Sequence, residues 1–251
     1  MPTRDAAPVG APCWIDLGTS DPDKSRAFYT ELFGWAVDDP GPDYGGYVNF
    51  TLDGAGVGGC MKNPGDGPDG WNVYLASANA EKTAAAVSAN GGTVVMAPMA
   101  VMTLGTMAMV ADPGGAIVGL WQPGDHKGFG VFNEPNSPGW FELHTAAYDA
   151  TVAFYEKAFG FAAHVAADEP GFRYTTYGEG EHALAGIMDA AAFGGGAPAG
   201  WSVYFRVDDA DKAVARAQEL GATVVSPAED TPYGRLAHLD DPTGASFKLM
   251  A

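Results

Sequence analysis

Pro138-Gly139-Trp140-Phe141-Glu142-Leu143-His144-Thr145 restates Pro12-Cys13-Trp14-Ile15-Asp16-Leu17-Gly18-Thr19 at an offset of 126 residues. The echo continues without a gap. Phe28-Tyr29 answers Phe154-Tyr155, and Phe33-Gly34-Trp35 answers Phe159-Gly160-Phe161. Further along, Trp71-Asn72-Val73-Tyr74 answers Trp201-Ser202-Val203-Tyr204, and Asp112-Pro113-Gly114-Gly115 answers Asp241-Pro242-Thr243-Gly244. A repeat of this period is a tandem duplication, so the 251 residues divide into two units of ordinary domain size.

Within each unit the apolar pattern changes period in a fixed order. Residues 12–19 alternate as a strand does, with Trp14, Asp16 and Gly18 on one face. Asp21 then caps a helix that has Pro22 at its first position and Phe28, Leu32 and Trp35 on one side. Strands are expected at 46–52 and 57–61, with a loop over 63–70. A second round follows: a strand at 71–75, a helix over 80–90, and strands at 93–96, 106–110 and 116–121. Strand, helix, three strands, four times over, predicts an α+β chain of four βαβββ modules. The units are read as 10–122 and 138–251, joined by a linker at 123–137 that is rich in Gly and Pro.

Composition removes several function classes. With 13 Lys and Arg against 31 Asp and Glu, a net charge of −18 leaves no basic footprint for nucleic acid or anionic membranes. Cys13 and Cys60 have no metal-type spacing and suggest no disulfide framework. The first eight residues lack the apolar run of a secretory signal, and 99–111 is too short and too interrupted to span a bilayer. A cytoplasmic protein is the expectation.

The strand opening on Trp, the Phe-Tyr fourteen residues later, the Phe-Gly-Trp helix end and the closing Asp-Pro-x-Gly strand resemble the vicinal oxygen chelate superfamily. That group includes glyoxalase I, extradiol dioxygenases and bleomycin-resistance proteins. Trp121-Gln122-Pro123-Gly124, Asn133-Glu134-Pro135 and Trp140-x-Glu142-Leu143-x-Thr145 are most similar to its two-domain actinobacterial members, often labelled hydroxylases. The resemblance implies two glyoxalase/bleomycin-resistance-type domains, each a pair of modules curling its sheet into a cup. It places a divalent metal on inward side chains of the cup.

Carried onto this chain, the metal positions fall on Trp14, Asn72 and Gly119 in the first cup and on Trp140, Ser202 and Lys248 in the second. None is a histidine or a carboxylate. Indole offers no lone pair for a metal, and an ammonium repels a cation. The expectation is therefore no metal and no cofactor. Two readings stand for the neighbouring residues. Glu142, His144 and His238 could form a displaced metal site, or Glu142 could pair with Lys248 while His144 is a polar strand residue.

Alternation assigns Trp14, Asp16, Asn72, Tyr74, Met107, Met109 and Trp121 to the first cup, and Trp140, Glu142, Tyr174, Ser202, Tyr204 and Lys248 to the second. Aromatic and methionine walls with few polar groups suit a flat hydrophobic molecule. His126 and His164 are read as exposed, His182 as a turn or strand-edge residue, and Arg235 as an edge ion pair or an anion clamp. Three functions are compatible with this set. The first is a metal-independent binding protein for an aromatic or hydrophobic metabolite or drug, acting in sequestration, resistance or biosynthesis. The second is a tailoring enzyme of hydroxylase, lyase or dioxygenase type that uses Glu142, His144 and Lys248 as acid or base, with or without a displaced metal. The third is a partner-binding protein, for which no residues speak. A tandem duplication permits a monomer as well as a homodimer.

Overall fold

The computed structural model describes residues 7–63, 65, 67–193 and 199–251. Most of the opening segment read for a secretory signal, and two positions of the 63–70 loop, lie outside the described residues.

Strand β1 (Pro12–Thr19) leads to helix α1 (Pro22–Phe33), whose start is built as its sequence predicts. The Asp21 carboxylate accepts a hydrogen bond from the Lys24 amide at 3.1 Å, with Pro22 at the first helical position. Gly34 ends the helix at φ 70°, and Gly160 ends its counterpart at φ 68°, a left-handed conformation that favours glycine. The stripe that α1 buries is Ser25, Phe28, Tyr29 and Phe33, whereas Leu32 is only partly covered.

The first unit continues through β2 (Ala36–Asp38), β3 (Val48–Leu52), β4 (Ala55–Lys62), β5 (Gly70–Ala76), α2 (Ala80–Ala89), β6 (Thr93–Val101), β7 (Gly105–Ala111) and β8 (Ile117–Pro123). The second unit has β9 (Pro138–Thr145), α3 (Tyr148–Phe159), β10 (Ala163–Glu169), β11 (Phe172–Tyr177), β12 (Gly186–Asp189), β13 (Gly200–Arg206), α4 (Ala210–Glu219), β14 (Thr223–Thr231), β15 (Gly234–Asp240) and β16 (Ser246–Met250). Strand β6 runs past the expected end at residue 96. It tolerates Pro98 because it is the sheet's edge strand and shifts register between Met96 and Met99.

Each unit forms one eight-stranded sheet, in the orders β2-β3-β4-β1-β5-β8-β7-β6 and β10-β11-β12-β9-β13-β16-β15-β14. The opening strands sit at the centre. In each, the first strand pairs parallel with the last strand of its own module and antiparallel with the first strand of the next. Register then fixes which side chains meet. Trp14 faces Tyr74 and Asp16 faces Asn72, while Trp140 faces Tyr204 and Glu142 faces Ser202.

The two sheets share one core, into which the helices carry their aromatic pairs. Phe33 packs on Phe205 with ring centroids 5.0 Å apart, and Tyr29 on Phe247 at 5.8 Å. The Phe-Tyr, Trp and Asp-Pro-x-Gly motifs meet here. Trp201 Nε1 donates to the Tyr155 hydroxyl at 3.1 Å, and that hydroxyl donates across the interface to Asp112 Oδ2 at 3.3 Å. On the other side Trp71 Nε1 donates to Tyr29 at 2.9 Å, and burial, helped by the nearby Asp241 carboxylate, raises the Tyr29 phenol. Each unit therefore sets a buried aspartate near the other unit's tyrosine, hydrogen-bonded in the case of Tyr155 and Asp112.

The segment read as a linker also takes part in the packing. Phe129 and Val131 are buried, the Phe129 amide donates to the Cys13 carbonyl at 2.9 Å, and Phe129, Phe132 and Phe141 stack in series. Among the described residues no helix is long and apolar enough to cross a membrane.

Candidate functional site

Two cups open on the sheet faces turned away from the shared core. The larger, in the second unit, encloses about 870 Å³. Its floor is a carboxylate with every oxygen engaged. Glu142 Oε1 accepts from the Tyr204 hydroxyl at 2.6 Å and lies 2.6 Å from His144 Nε2, while Oε2 accepts from the Tyr174 hydroxyl at 2.8 Å. Trp140 Nε1 donates in turn to Tyr174 at 3.1 Å. The Lys248 ammonium donates to Tyr204 at 2.9 Å and stands 3.5 Å from Glu142 Oε1 and 3.4 Å from His144 Nε2. Apolar walls rise around this floor from Ala166, Phe172, Met188, Pro232, Tyr233, Leu236 and Met250.

Burial alone would raise the Glu142 carboxyl, but the hydrogen bond from His144, the Lys248 charge and the Tyr204 hydroxyl together bring it down to about 2. Burial pulls the Lys248 ammonium below its ordinary range, against the attraction of Glu142. The Tyr174 and Tyr204 phenols are pushed well up by burial and by the adjacent carboxylate. At neutral pH the floor thus presents an ionised acid and two protonated phenols beside the Lys248 ammonium.

The first cup is smaller, about 470 Å³, and repeats the frame without the lysine and histidine. Trp14 Nε1 donates to the Tyr47 hydroxyl at 2.8 Å, as Trp140 does to Tyr174. Asp16 Oδ1 accepts from Asn72 Nδ2 at 2.9 Å, and Tyr74 also hydrogen-bonds the carboxyl. Burial pushes the Asp16 carboxyl up, and these hydrogen bonds offset it only in part. Where the second cup has His144 and Lys248, the first has Gly18 and Gly119. A Cβ at Gly18 would lie 2.4 Å from Asn63 Oδ1, and one at Gly119 only 2.1 Å from the Tyr74 ring. Neighbouring side chains fill the space that the cations take up in the twin.

Of the sequence-predicted residues, Trp140, Glu142, His144, Tyr174, Tyr204 and Lys248 line the second cavity, and Trp14, Asp16, Tyr74, Met107 and Trp121 line the first. Asn72 acts through Asp16 rather than as wall, and neither Met109 nor Ser202 lines a cavity. Two histidines read as exposed need correction. His164 lines the second cup, because β10 closes its wall. His126 is wedged edge-on against Trp14 at 4.3 Å, with Nε2 buried, and burial lowers it to about 4. The packed linker brings it there. His182 lies in a short 3-10 turn, and Arg235 pairs with Asp211 at 2.7 Å and Asp230 at 3.0 Å as an edge ion pair. Tyr47 escaped the reading, although one residue of slippage in the repeat aligns it with Tyr174. Gly59 and Gly186 mark both tyrosines, since a Cβ at either would fall 1.9 Å from the hydroxyl.

The residues present do not fit a divalent metal. Among the described residues no group of three or more His, Cys, Asp and Glu could hold one. In the displaced trio, His238 Nε2 turns to Ser246 Oγ at 2.5 Å and does not line the cavity. Glu142 is already saturated by donors, with an ammonium at its side.

Comparison with known proteins bears on both cups. Residues 13–120 and 137–249 match the model of the Glyoxalase/Bleomycin resistance protein/Dioxygenase superfamily. "Putative glyoxylase CFP32" of Mycobacterium tuberculosis is 37% identical over 257 residues, covering 100% of this chain and 98% of that protein. "Anthracycline biosynthesis protein DnrV" of Streptomyces peucetius is 38% identical over 262 residues, covering 96% and 93%. Among solved structures, the Mn(II)-bound glyoxalase of Novosphingobium aromaticivorans superposes with TM-score 0.68 at 17% identity, covering 96% of this chain and 81% of that one. The 2,3-dioxygenase LapB of Pseudomonas sp. KL28 does so with TM-score 0.68 at 14% identity, covering 96% and 92%. At those identities the likeness is one of fold.

Proposed function

The chain belongs to the Glyoxalase/Bleomycin resistance protein/Dioxygenase superfamily, and from that premise we propose that its second cup binds a flat, oxygenated aromatic molecule without a metal. The observation that carries this reading is the pairing of an apolar cavity of about 870 Å³ with a polar floor confined to one end. Phe172, Tyr233 and Leu236 offer surface for rings, while Lys248 and His144 can hydrogen-bond a carbonyl, phenol or carboxylate oxygen. The name of the Streptomyces peucetius relative points to anthracycline biosynthesis, whose products carry such fused oxygenated rings. An accessory role in making, holding or tolerating a compound of this kind follows.

Titration of the EDTA-treated protein with alizarin, a dihydroxyanthraquinone, tests the reading. Saturable quenching of tryptophan fluorescence is expected, weakened about ten-fold in Lys248→Met through loss of a charge-assisted contact. Binding that appears only on adding a divalent ion would overturn it.

One observation favours catalysis as a second reading. Lys248, Tyr204, Glu142 and His144 form a continuous hydrogen-bonded chain at the cavity floor, which could hold or move a proton at a bound ligand. Mass spectrometry of a candidate aromatic ketone incubated with the protein separates turnover from binding.

A further inference from the structure

The first cup has an acid at its floor and no cation to match it. Asp16 is 5% exposed, lies under a cavity of about 470 Å³ and takes its hydrogen bonds from the neutral groups of Asn72 and Tyr74. Among the described residues no lysine or arginine lines the cavity, and Asp43 adds a second carboxylate to its lining. The walls are electron-rich, with Trp14, Tyr47, Tyr74 and Trp121 around the acid and Met61 and Met107 between them. A carboxylate at the base of a box of indole and phenol rings is the arrangement that recognises an organic cation, by ion pairing below and ring quadrupoles at the sides.

We infer that the first cup is a separate binding site for an organic ammonium group carried on an apolar or aromatic body. Burial pushes the Asp16 carboxyl up for want of a cation, and an ammonium seated over it offsets that cost. The second cup cannot serve the same ligand, since Lys248 already stands beside Glu142 and His144 fills the space next to it. The inference does not depend on what the second cup holds.

Phenethylamine and phenethyl alcohol have the same ring and chain and differ in charge. By isothermal titration at neutral pH the ammonium compound should bind at least about ten-fold more tightly than the alcohol. Asp16→Asn should erase that preference while leaving the circular dichroism spectrum intact. Met107→Lys, which places a cation at the half-buried cavity wall, should erase it by repulsion if Asp16→Asn does not fold. Equal affinity of the wild-type chain for the two probes, no saturable binding of the amine, or a preference that survives both variants would overturn the inference.

Discussion

The two cups share a frame and differ in charge. Trp14, Tyr47, Asp16 and Tyr74 build in one what Trp140, Tyr174, Glu142 and Tyr204 build in the other. The differences that change the charge are at two positions, where glycines 18 and 119 stand against His144 and Lys248. From that change the acids move in opposite directions, Asp16 up and Glu142 down. The same strand order thus yields an acid without a cation in one place and a compensated ion cluster in the other, so the character of each cup resides in a few inward positions.

The largest way to break this comparison is to neutralise each acid. Glu142→Gln leaves the Lys248 ammonium buried without its partner and should cost about 3 kcal/mol in urea denaturation. Asp16→Asn abandons no cation and should cost less than about 1 kcal/mol. Equal losses would refute the asymmetry.

Acid should separate the cups in the same way. The folded Glu142 carboxyl titrates at about 2, below its unfolded value. Its contribution is therefore present above an unfolded pKa of about 4.3 and is lost as pH falls from there through about 2. Asp16 has the opposite sign. Its raised folded value gives stability that is full below the unfolded pKa and lost as pH rises through the folded one. Between neutral pH and about 3, amide exchange should therefore quicken in β9 relative to β1. Matching responses of the two strands would contradict the assignment.

A finer probe uses the tyrosines. Tyr174→Phe removes a donor to a charged carboxylate and should cost about 2 kcal/mol, whereas Tyr47→Phe removes only the acceptor of an indole N–H and should cost about 1 kcal/mol. Smallest of all, Arg235→Ala removes exposed ion pairs to Asp211 and Asp230 and should leave the urea midpoint essentially unmoved in the same assay.

Much of this was legible from the duplicated strand, because alternation has a period of two and fixes which side chains share a face. That Trp140, Glu142 and His144 share a face of β9 followed from that rule, whereas Lys248 was placed by the family resemblance and its register opposite Tyr204 came only with the fold. Tyr47 did not, because the repeat slips by one residue before it. Nor did His126 or His164, whose surroundings depend on long-range packing: the linker folds back on β1, and β10 closes a cup wall. The Phe-Tyr and Asp-Pro-x-Gly signatures were visible as motifs, but only the three-dimensional arrangement assigns them to the contact between units.

That contact carries an evolutionary consequence. Tyr155 of the second half donates to Asp112 of the first, and Phe33 of the first packs on Phe205 of the second, so each gene half encodes part of the other's buried surroundings. A half expressed alone would bare an aromatic face suited to a second copy of itself. The backs of the two units are thereby tied to each other, while their fronts are free to differ.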